Sequence, residues 1–261
     1  MYFHKTNNDE IFLILNKEET IQKSLLIYGN FEHLAVKIAL KFSNNSSILD
    51  IGANIGTFCI PVALGLPLAK IIAVEPQRNV FFHLCSNILI NKLLNVIPLN
   101  AAIGETKIKN SMIKVPLFDS FTEKYTGSVS LDPKIHKLRK KLKGIAEPSL
   151  YAKKFEDVPL KNLDEIVGAD EISFIKIDVE GMEYSVLRSA KKVIKKFKPF
   201  LYFEAWNFDE FLLEKNKLTS YVKKMGYELI RVGEDYFAFH PEMINEEKVI
   251  HNLEEIGLVL T

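Results

Sequence analysis

Acidic residues are concentrated where one mainly hydrophobic run of the sequence ends. The run Phe174 to Ile177 is followed by Asp178, Glu180 and Glu183, which places three carboxylates in six residues. Carboxylates this close repel one another unless hydrogen-bond donors, a cation or a helix N-terminus compensates for the repulsion. A carboxylate held at such a junction can contact a substrate hydroxyl and take its proton, which is general-base chemistry.

The same acids also have a purely structural interpretation. Glu180 and Glu183 would lie at the start of the next helix, where each negative charge stabilises the helix dipole by about 0.3–1 kcal/mol. For Glu183 the sequence supports both interpretations equally. For Asp178 and Glu180 we favour function, with Asp178 facing a bound cofactor and Glu180 contacting or deprotonating the hydroxyl of a second substrate.

Glu204 is expected at the same edge, because it follows the next apolar run, Leu201 to Phe203. A buried acid among apolar residues needs a partner. Asp178, Glu180 and Glu204 together could bind a divalent cation, since hard cations prefer oxygen ligands. Hydrogen bonding or general-base chemistry explains the three acids equally well, and no metal is part of the prediction.

A second candidate site is the glycine turn, Asp50 to Gly56, which reads DIGANIG. Gly52 and Gly56 allow backbone N–H groups to approach a ligand closely. Their spacing is not the Gly-x-Gly-x-x-Gly of dinucleotide enzymes, which disfavours a pyrophosphate ligand. Glu75 closes the next apolar run and could accept hydrogen bonds from ribose hydroxyls. With Asn54 in the turn, the pattern predicts a nucleoside ligand; the alternative is a tight turn beside a solvated strand end.

The elements that must position these residues alternate between strands and helices from about Ser47, which predicts an α/β fold with a mostly parallel sheet. The predicted strands are 48–51, 71–74, 96–102, 172–179 and 200–206. The predicted helices are 57–64, 79–91, 182–196 and 208–225. Segments 227–232 and 236–240 are expected to form an antiparallel pair at the end of the sheet.

The alternation stops between residues 103 and 157, an interval too long for a plain connection in a compact fold. We expect a variable substrate-binding insertion there, within a domain spanning 47–261. Its basic run, 134–143, is expected to be a surface helix, with an anionic partner as the alternative. Residues 1–46 are expected to pack on the core, and 245–261 to form an amphipathic helix against the domain or a second subunit.

Composition excludes several classes of protein. The 261 residues carry a formal charge of +1, so no overall field attracts nucleic acid or an anionic membrane. The two cysteines have no metal-type spacing. No apolar stretch reaches the roughly 20 residues of a membrane-spanning helix. The sequence therefore predicts a cytoplasmic protein without a transmembrane segment, without a nucleic-acid partner, and of undetermined oligomeric state.

The chain resembles the FkbM family of class-I methyltransferases, which use S-adenosylmethionine. The matching stretches are Ile48–Gly56, Val74–Pro76 and Phe174–Glu183, with weaker matches at Tyr28–Glu32 and Val158–Asp164. The resemblance implies a Rossmann-like, mostly parallel seven-stranded sheet with one antiparallel strand and helices on both faces. It also implies three groups of cofactor contacts. Asp50, Gly52, Ala53, Asn54 and Gly56 would surround the amino-acid part, Glu75 and Pro76 the ribose, and Ala101 and Ala102 the adenine.

The family is associated with O-methylation of hydroxyls on sugars, glycans or glycolipids, and secondary metabolites. The resemblance therefore implies a small-molecule or glycan hydroxyl as the acceptor. Glu180 is the first candidate base, followed by Asp178 and Glu204. Tyr125, Ser128 and Trp206 are expected at the acceptor pocket. Two other functions stay open: a nicotinamide-dependent oxidoreductase, and a non-catalytic protein that binds an adenosine ligand.

Overall fold

The computed structural model describes the chain except for residues 125–126, 128, 140–151, 206–211 and 259–261. In chain order the strands are β1 (Tyr2–Lys5), β2 (Ile11–Ile14), β3 (Ser47–Ile51), β4 (Ile71–Val74), β5 (Val96–Leu99), β6 (Ala102–Ile103), β7 (Met112–Pro116), β8 (Phe155–Lys161), β9 (Ile172–Ile177), β10 (Phe200–Glu204), β11 (Glu228–Val232) and β12 (Asp235–Phe239). The helices are α1 (Thr20–Tyr28), α2 (His33–Phe42), α3 (Cys59–Gly65), α4 (Arg78–Ile90), α5 (Pro133–Arg139), α6 (Leu163–Ile166), α7 (Glu183–Ser189), α8 (Lys191–Phe197), α9 (Leu212–Lys224) and α10 (Glu246–Glu255).

The central sheet has seven strands in the order β11-β12-β10-β9-β3-β4-β5. Neighbours from β10 to β5 are parallel, and β12 is antiparallel to both β10 and β11. The mostly parallel sheet flanked by helices is the one that the sequence predicts. Because the parallel strands point the same way, the carboxyl ends of β3, β4, β9 and β10 meet along one edge.

Helices cover both faces of this sheet, which explains why its central strands are continuous apolar runs. Ile48 of β3 packs in a buried cluster with residues of α2, α3 and α4. Leu49 and Ile51 of the same strand pack in a second cluster with residues of α7, α8 and α9. Successive side chains of a strand point to opposite faces, so one short strand contributes to both halves of the core.

The predicted strand 96–102 is wrong in its last part. β5 ends at Leu99, because the Asn100 side chain donates hydrogen bonds to the backbone oxygens of Glu75 (2.9 Å) and Pro76 (3.0 Å) and turns the chain. Ala102 and Ile103 then form β6 in a separate three-stranded sheet of order β6-β8-β7. The interval 103–157 thus contains β7 and the first part of β8.

The predicted helix 182–196 is two helices, α7 and α8. The side chain of Asp164, in α6, accepts hydrogen bonds from the backbone N–H groups of Lys192 and Val193 at 3.0–3.1 Å. A carboxylate in this position satisfies the free N–H groups at the start of α8. The periodicity of the segment alone cannot show this break, because the capping residue comes from another element.

Both described ends of the chain pack on the same face of the sheet. Phe12 and Ile14 of β2 and Leu25 of α1 are buried in one cluster with Val249 and Leu253 of α10. The C-terminal helix therefore packs on its own domain. Of the helices in the part of the chain that the structure describes, none has the length and apolar character that crossing a membrane requires.

Candidate functional site

A cavity of about 460 Å³ lies at the carboxyl edge of the sheet. Its walls are formed by the glycine turn after β3, the segment after β4 and the acidic segment Asp178–Glu183 after β9, called the acidic junction below. Open α/β sheets bind ligands at this edge, where the strand order reverses. Of the predicted cofactor residues, the cavity lining includes Gly52, Asn54, Glu75, Pro76, Ala101, Ala102 and Asp178.

Gly52 joins two walls of the cavity. Its φ is +87°, and a Cβ atom there would lie 1.8 Å from the backbone oxygen of Asp178. The N–H groups of Gly52 and Ala53 both donate to the Val74 oxygen, at 3.0 and 2.9 Å. A side chain at Gly52 would therefore collide with the acidic junction, and glycine alone fits this contact.

Ala53 and Gly56 face the core. Ala53 is buried in the hydrophobic cluster, and a Cβ atom on Gly56 (φ +97°) would lie 2.8 Å from Ile60 Cδ1. Neither residue is among those that line the cavity. Asn54 does line it, with a left-handed φ of +49°. The structure thus separates the turn into residues that shape it and residues that face a ligand.

Glu75 is buried at the end of β4 and lines the cavity. Its carboxylate accepts hydrogen bonds from the backbone N–H groups of Asn54 (3.1 Å) and Gln77 (2.8 Å). Burial raises the pKa of this carboxyl to about 7. The acid predicted to hold a ribose therefore also fixes the glycine turn.

Asp178, Glu180 and Glu204 come together as predicted, each with a carboxylate oxygen within 4.8 Å of the others. All three are half-buried and line the cavity. Glu180 has a left-handed φ of +57°, followed by Gly181 at +99°. Side chains rarely adopt this backbone, and it persists where surrounding contacts hold it, often at functional sites. The spacing suits either a hydroxyl group or a divalent cation.

Glu183 supports this turn from behind. It is buried, and its carboxylate accepts hydrogen bonds from the N–H groups of Val179 and Gly181, both at 3.1 Å. Burial raises its pKa to about 7. Glu183 is not among the residues that line the larger cavity. Its contacts fit the structural interpretation, since they fix the backbone on which Glu180 is presented.

Asp50 lies beneath the cavity and is completely buried. Its nearest cation is Lys176, whose Nζ lies 3.7 Å from Asp50 Oδ1. Burial raises the pKa of the Asp50 carboxyl, and the charges of Glu32 and Asp178 act in the same direction, while Lys176 opposes them. The structure places Asp50 among charged groups, and not on the lining of the cavity.

Lys176 and Glu32 are functional candidates that the sequence analysis missed. Lys176 Nζ lies 2.6 Å from Glu32 Oε1 and 3.4 Å from Asp178 Oδ2, and Lys176 and Glu32 both line the cavity. Burial alone would lower the pKa of Lys176, but the three carboxylates around it raise that pKa well above its ordinary value. A lysine inside an otherwise buried apolar strand was the available signal for this site.

A tyrosine–aspartate pair that the sequence did not indicate also lies at the cavity. The Tyr202 hydroxyl donates to Asp235 Oδ2 at 2.7 Å, and both residues line the cavity from β10 and β12. Because β12 is antiparallel, its first residue, Asp235, reaches the same edge as the last residues of the parallel strands. Burial raises the pKa of Asp235 to about 6.

A second cavity of about 330 Å³ adjoins the first. The two share Leu131, Met182 and Glu204 in their walls.

Of the expected basic helix, Ile135 in α5 is buried and would touch a Cβ atom placed on Gly181, whereas Lys134 and Lys137 are exposed. Tyr125, Ser128 and Trp206, and the part of the basic run from residue 140 onward, lie outside the described residues.

One family model matches more than half of the chain. A sequence model described as the methyltransferase FkbM domain matches residues 50–229. Methyltransferase sdnD of Sordaria araneosa is 28% identical over 162 residues, covering 56% of this chain and 60% of that protein. Methyltransferase 1 of Beauveria bassiana is 24% identical over 151 residues, covering 56% and 59%.

Two further similarities are more limited. An aminocarboxypropyltransferase of Methanocaldococcus jannaschii that acts on tRNA(Phe) is 32% identical over 90 residues, covering 34% of this chain and 36% of that protein. The crystal structure of methyltransferase FkbM from Methylobacillus flagellatus is 19% identical, with a TM-score of 0.48, covering 75% of this chain and 43% of that one. The chain thus spans between about a third and three fifths of the length of these curated relatives.

Proposed function

The chain belongs to the FkbM family of methyltransferases, and on that premise we propose that it transfers a methyl group from S-adenosylmethionine to a hydroxyl oxygen. The proposed acceptor is a hydroxyl of a sugar, a glycan or glycolipid, or a secondary metabolite. The observation that most supports this proposal is the group of three carboxylates, Asp178, Glu180 and Glu204, at the wall of the larger cavity.

The charge of the larger cavity supports the choice of cofactor. Its described lining has seven carboxyl groups and one lysine: Glu19, Glu32, Glu75, Asp178, Glu180, Glu204, Asp235 and Lys176. S-adenosylmethionine carries a sulfonium and an ammonium, which this surface attracts. A nicotinamide dinucleotide carries a pyrophosphate, which the same surface repels. The missing middle glycine of the turn disfavours the dinucleotide as well.

The residues of the chain have three tasks in such a reaction. The bound cofactor supplies an activated methyl group, so the protein must align an acceptor oxygen with that group and exclude water. Alignment of two reactants can lower a barrier by roughly 7–11 kcal/mol. The methyl–sulfur bond would break as the carbon–oxygen bond forms, leaving S-adenosylhomocysteine, and the hydroxyl proton would pass to a carboxylate, for which Glu180 is the first candidate. Asp178 and Glu204 are the second and third.

The second cavity is the proposed place of the acceptor. It meets the cofactor cavity at Glu204 and Met182, next to the acidic junction. Its described lining mixes acids and bases with the ring of Tyr184, among them Asp132, Lys134 and Lys217. Lys217 Nζ lies 3.9 Å above the centre of that ring. Charged and polar side chains around such a wall can hydrogen-bond the hydroxyls of an acceptor, which a purely apolar lining cannot do.

The proposal is tested by identifying the methylated atom. Extracts of glycans and small metabolites from cells lacking the gene are incubated with the protein and S-adenosylmethionine carrying a deuterated methyl group. Mass spectrometry then finds each product, and fragmentation locates the label. We expect the label on a hydroxyl oxygen. Label on nitrogen or carbon would contradict the hydroxyl acceptor, and the absence of any labelled product would favour a non-catalytic binding protein.

A further inference from the structure

Glu32 links three separate segments of the chain. It precedes α2 in the N-terminal segment, and its side chain is 13% exposed. Oε1 lies 2.6 Å from Lys176 Nζ, in β9. Oε2 accepts a hydrogen bond from the hydroxyl of Thr57, directly after the glycine turn. One carboxylate therefore ties the N-terminal segment to both walls that flank the cofactor cavity.

Lys176 transmits this contact into the cavity. Its side chain is 3% exposed, and its ammonium faces Glu32, Asp178 Oδ2 at 3.4 Å and Asp50 Oδ1 at 3.7 Å. The Gly52 backbone oxygen lies 3.5 Å from the same ammonium. Glu32 is the nearest of the three carboxylates. Without the Glu32 charge, the ammonium would be drawn towards Asp178 and Asp50.

We propose that Glu32 is a positioning residue for the cofactor, and that it couples docking of the N-terminal segment to occupancy of the cavity. By holding the Lys176 ammonium close to its own carboxylate, Glu32 keeps that ammonium from neutralising Asp178. The Asp178 carboxylate then stays available to the cofactor. Thr57, held by the other oxygen, keeps the glycine turn in place. Such coupling is reciprocal, so cofactor binding must stabilise the docked segment by the same free energy.

The inference rests on the proposed cofactor and not on the nature of the acceptor. S-adenosylhomocysteine, which keeps the ammonium and the nucleoside, is therefore a sufficient probe. The test variant is Glu32→Gln, which keeps the shape of the side chain and removes its charge. The matched control is Glu18→Gln, an exposed glutamate of the same segment.

Calorimetry should show that Glu32→Gln weakens binding of S-adenosylhomocysteine by about tenfold, within the usual range of such coupling. The thermal midpoint of the ligand-free variant should also fall, because removing one partner of a buried ion pair leaves the other charge less well compensated. A purely structural role predicts a lower midpoint with unchanged affinity. That pattern would overturn the inference.

Hydrogen exchange gives an independent readout. In the wild type and in Glu18→Gln, S-adenosylhomocysteine should slow amide exchange in the first turn of α2, whereas in Glu32→Gln this protection should be lost. Equal protection in all three proteins would overturn the coupling. If Glu32→Gln does not fold, Thr57→Val tests the other contact, and unchanged affinity there would also overturn it. If the wild-type protein does not bind S-adenosylhomocysteine, the proposed cofactor is wrong, and the inference about Glu32 is wrong as a consequence.

Discussion

Glu180 is presented on a backbone that side chains rarely adopt, with φ at +57° and the following Gly181 at +99°. The N–H groups on both sides of Glu180 donate to the buried Glu183 carboxylate, which holds this turn in place. Glu183 thus fixes the turn on which Glu180 faces the cavity. The two glutamates, three positions apart, lead to different predictions.

Substituting Glu180 with glutamine should remove the proposed base and leave the cofactor site intact. We expect kcat to fall by about 10²–10⁴-fold with the identified acceptor, while the affinity for S-adenosylhomocysteine stays close to wild type. The matched control is Glu171→Gln, an exposed glutamate at the opposite end of the same strand region. Steady-state kinetics with calorimetry separate the two effects. Unchanged kcat in Glu180→Gln would reassign the base to Asp178 or Glu204.

Glu183 should make stability depend on pH. Its pKa rises from 4.5 to about 7 on folding, so between these values the folded protein holds a proton that the unfolded chain releases. The free energy of unfolding therefore decreases as pH rises from about 5 to 7 and levels off above that. In Glu183→Gln the decrease should be smaller by roughly 1–3 kcal/mol. Urea unfolding at pH 5, 6, 7 and 8 measures the free energy of unfolding of both proteins. The same pH dependence in Glu183→Gln and wild type would contradict the prediction.

Residue types predicted only part of the site. Asp178, Glu180 and Glu204 were identified because each follows an apolar run, and strand ends of a parallel sheet meet at one edge. Glu32 and Lys176 were missed, because they are far apart in the chain and their contact depends on how α2 packs against the sheet. Spacing along the sequence carries no information about such a pair.

At the scale of elements, the turn after β3 and the turn after β9 touch through backbone atoms. A Cβ atom on Gly52 would lie 1.8 Å from the Asp178 oxygen, an atom that is part of the backbone and cannot rotate away. The two turns can therefore approach this closely only because residue 52 has no side chain. This contact joins the glycine turn to the acidic junction at the wall of the cavity.

Gly52→Ala should separate steric cost from conformational cost when it is compared with Gly168→Ala. Both glycines have positive φ, at +87° and +63°, but a Cβ atom on Gly168 meets no atom within 4 Å. Gly168→Ala should lose about 1–2 kcal/mol of stability. Gly52→Ala should lose several kcal/mol more or fail to fold, and a folded fraction should bind S-adenosylhomocysteine poorly. Urea unfolding compares them, and equal losses would contradict the contact.

Elements were predicted well where their own residues define them. The apolar run Ile71–Val74 is a strand with the same bounds in the sequence and in the structure. Segments were predicted wrongly where a distant side chain ends them, as Asn100 ends β5 and Asp164 caps α8. Hydrophobic periodicity reports burial along a segment. It does not report which side chain of another segment satisfies the backbone groups at its end.

For the whole molecule, the net charge gives no indication that the cavity is acidic. The chain carries +1 overall, yet its described cavity lining has seven carboxyl groups and one lysine. S-adenosylhomocysteine at about 100 times its dissociation constant should raise the free energy of unfolding by about 2.7 kcal/mol. NAD at the same concentration should leave the thermal midpoint unchanged. A larger shift with NAD would favour the oxidoreductase alternative.

The cavity is also closed by segments from distant parts of the chain. Gly127, within the predicted insertion, approaches so closely that a Cβ atom on it would lie 2.8 Å from Asn54 Nδ2 and 2.9 Å from Ile21 Cδ1. The N-terminal segment and the insertion thus meet above the glycine turn. Neither contact follows from the alternation of strands and helices, which predicts only the sheet beneath them.

The contacts of the N-terminal segment have a consequence for the order of synthesis. The backbone N–H groups of Ile11 and Leu13 in β2 donate hydrogen bonds to the side chains of Asn91, just after α4, and Asn87, in α4. Glu32 pairs with Lys176 of β9. The ribosome makes this segment long before those partners emerge. Phe12 and Ile14, buried in the finished protein, must stay exposed during that interval. The N-terminal segment can therefore make its full set of native contacts only after the sheet strand carrying Lys176 has left the exit tunnel.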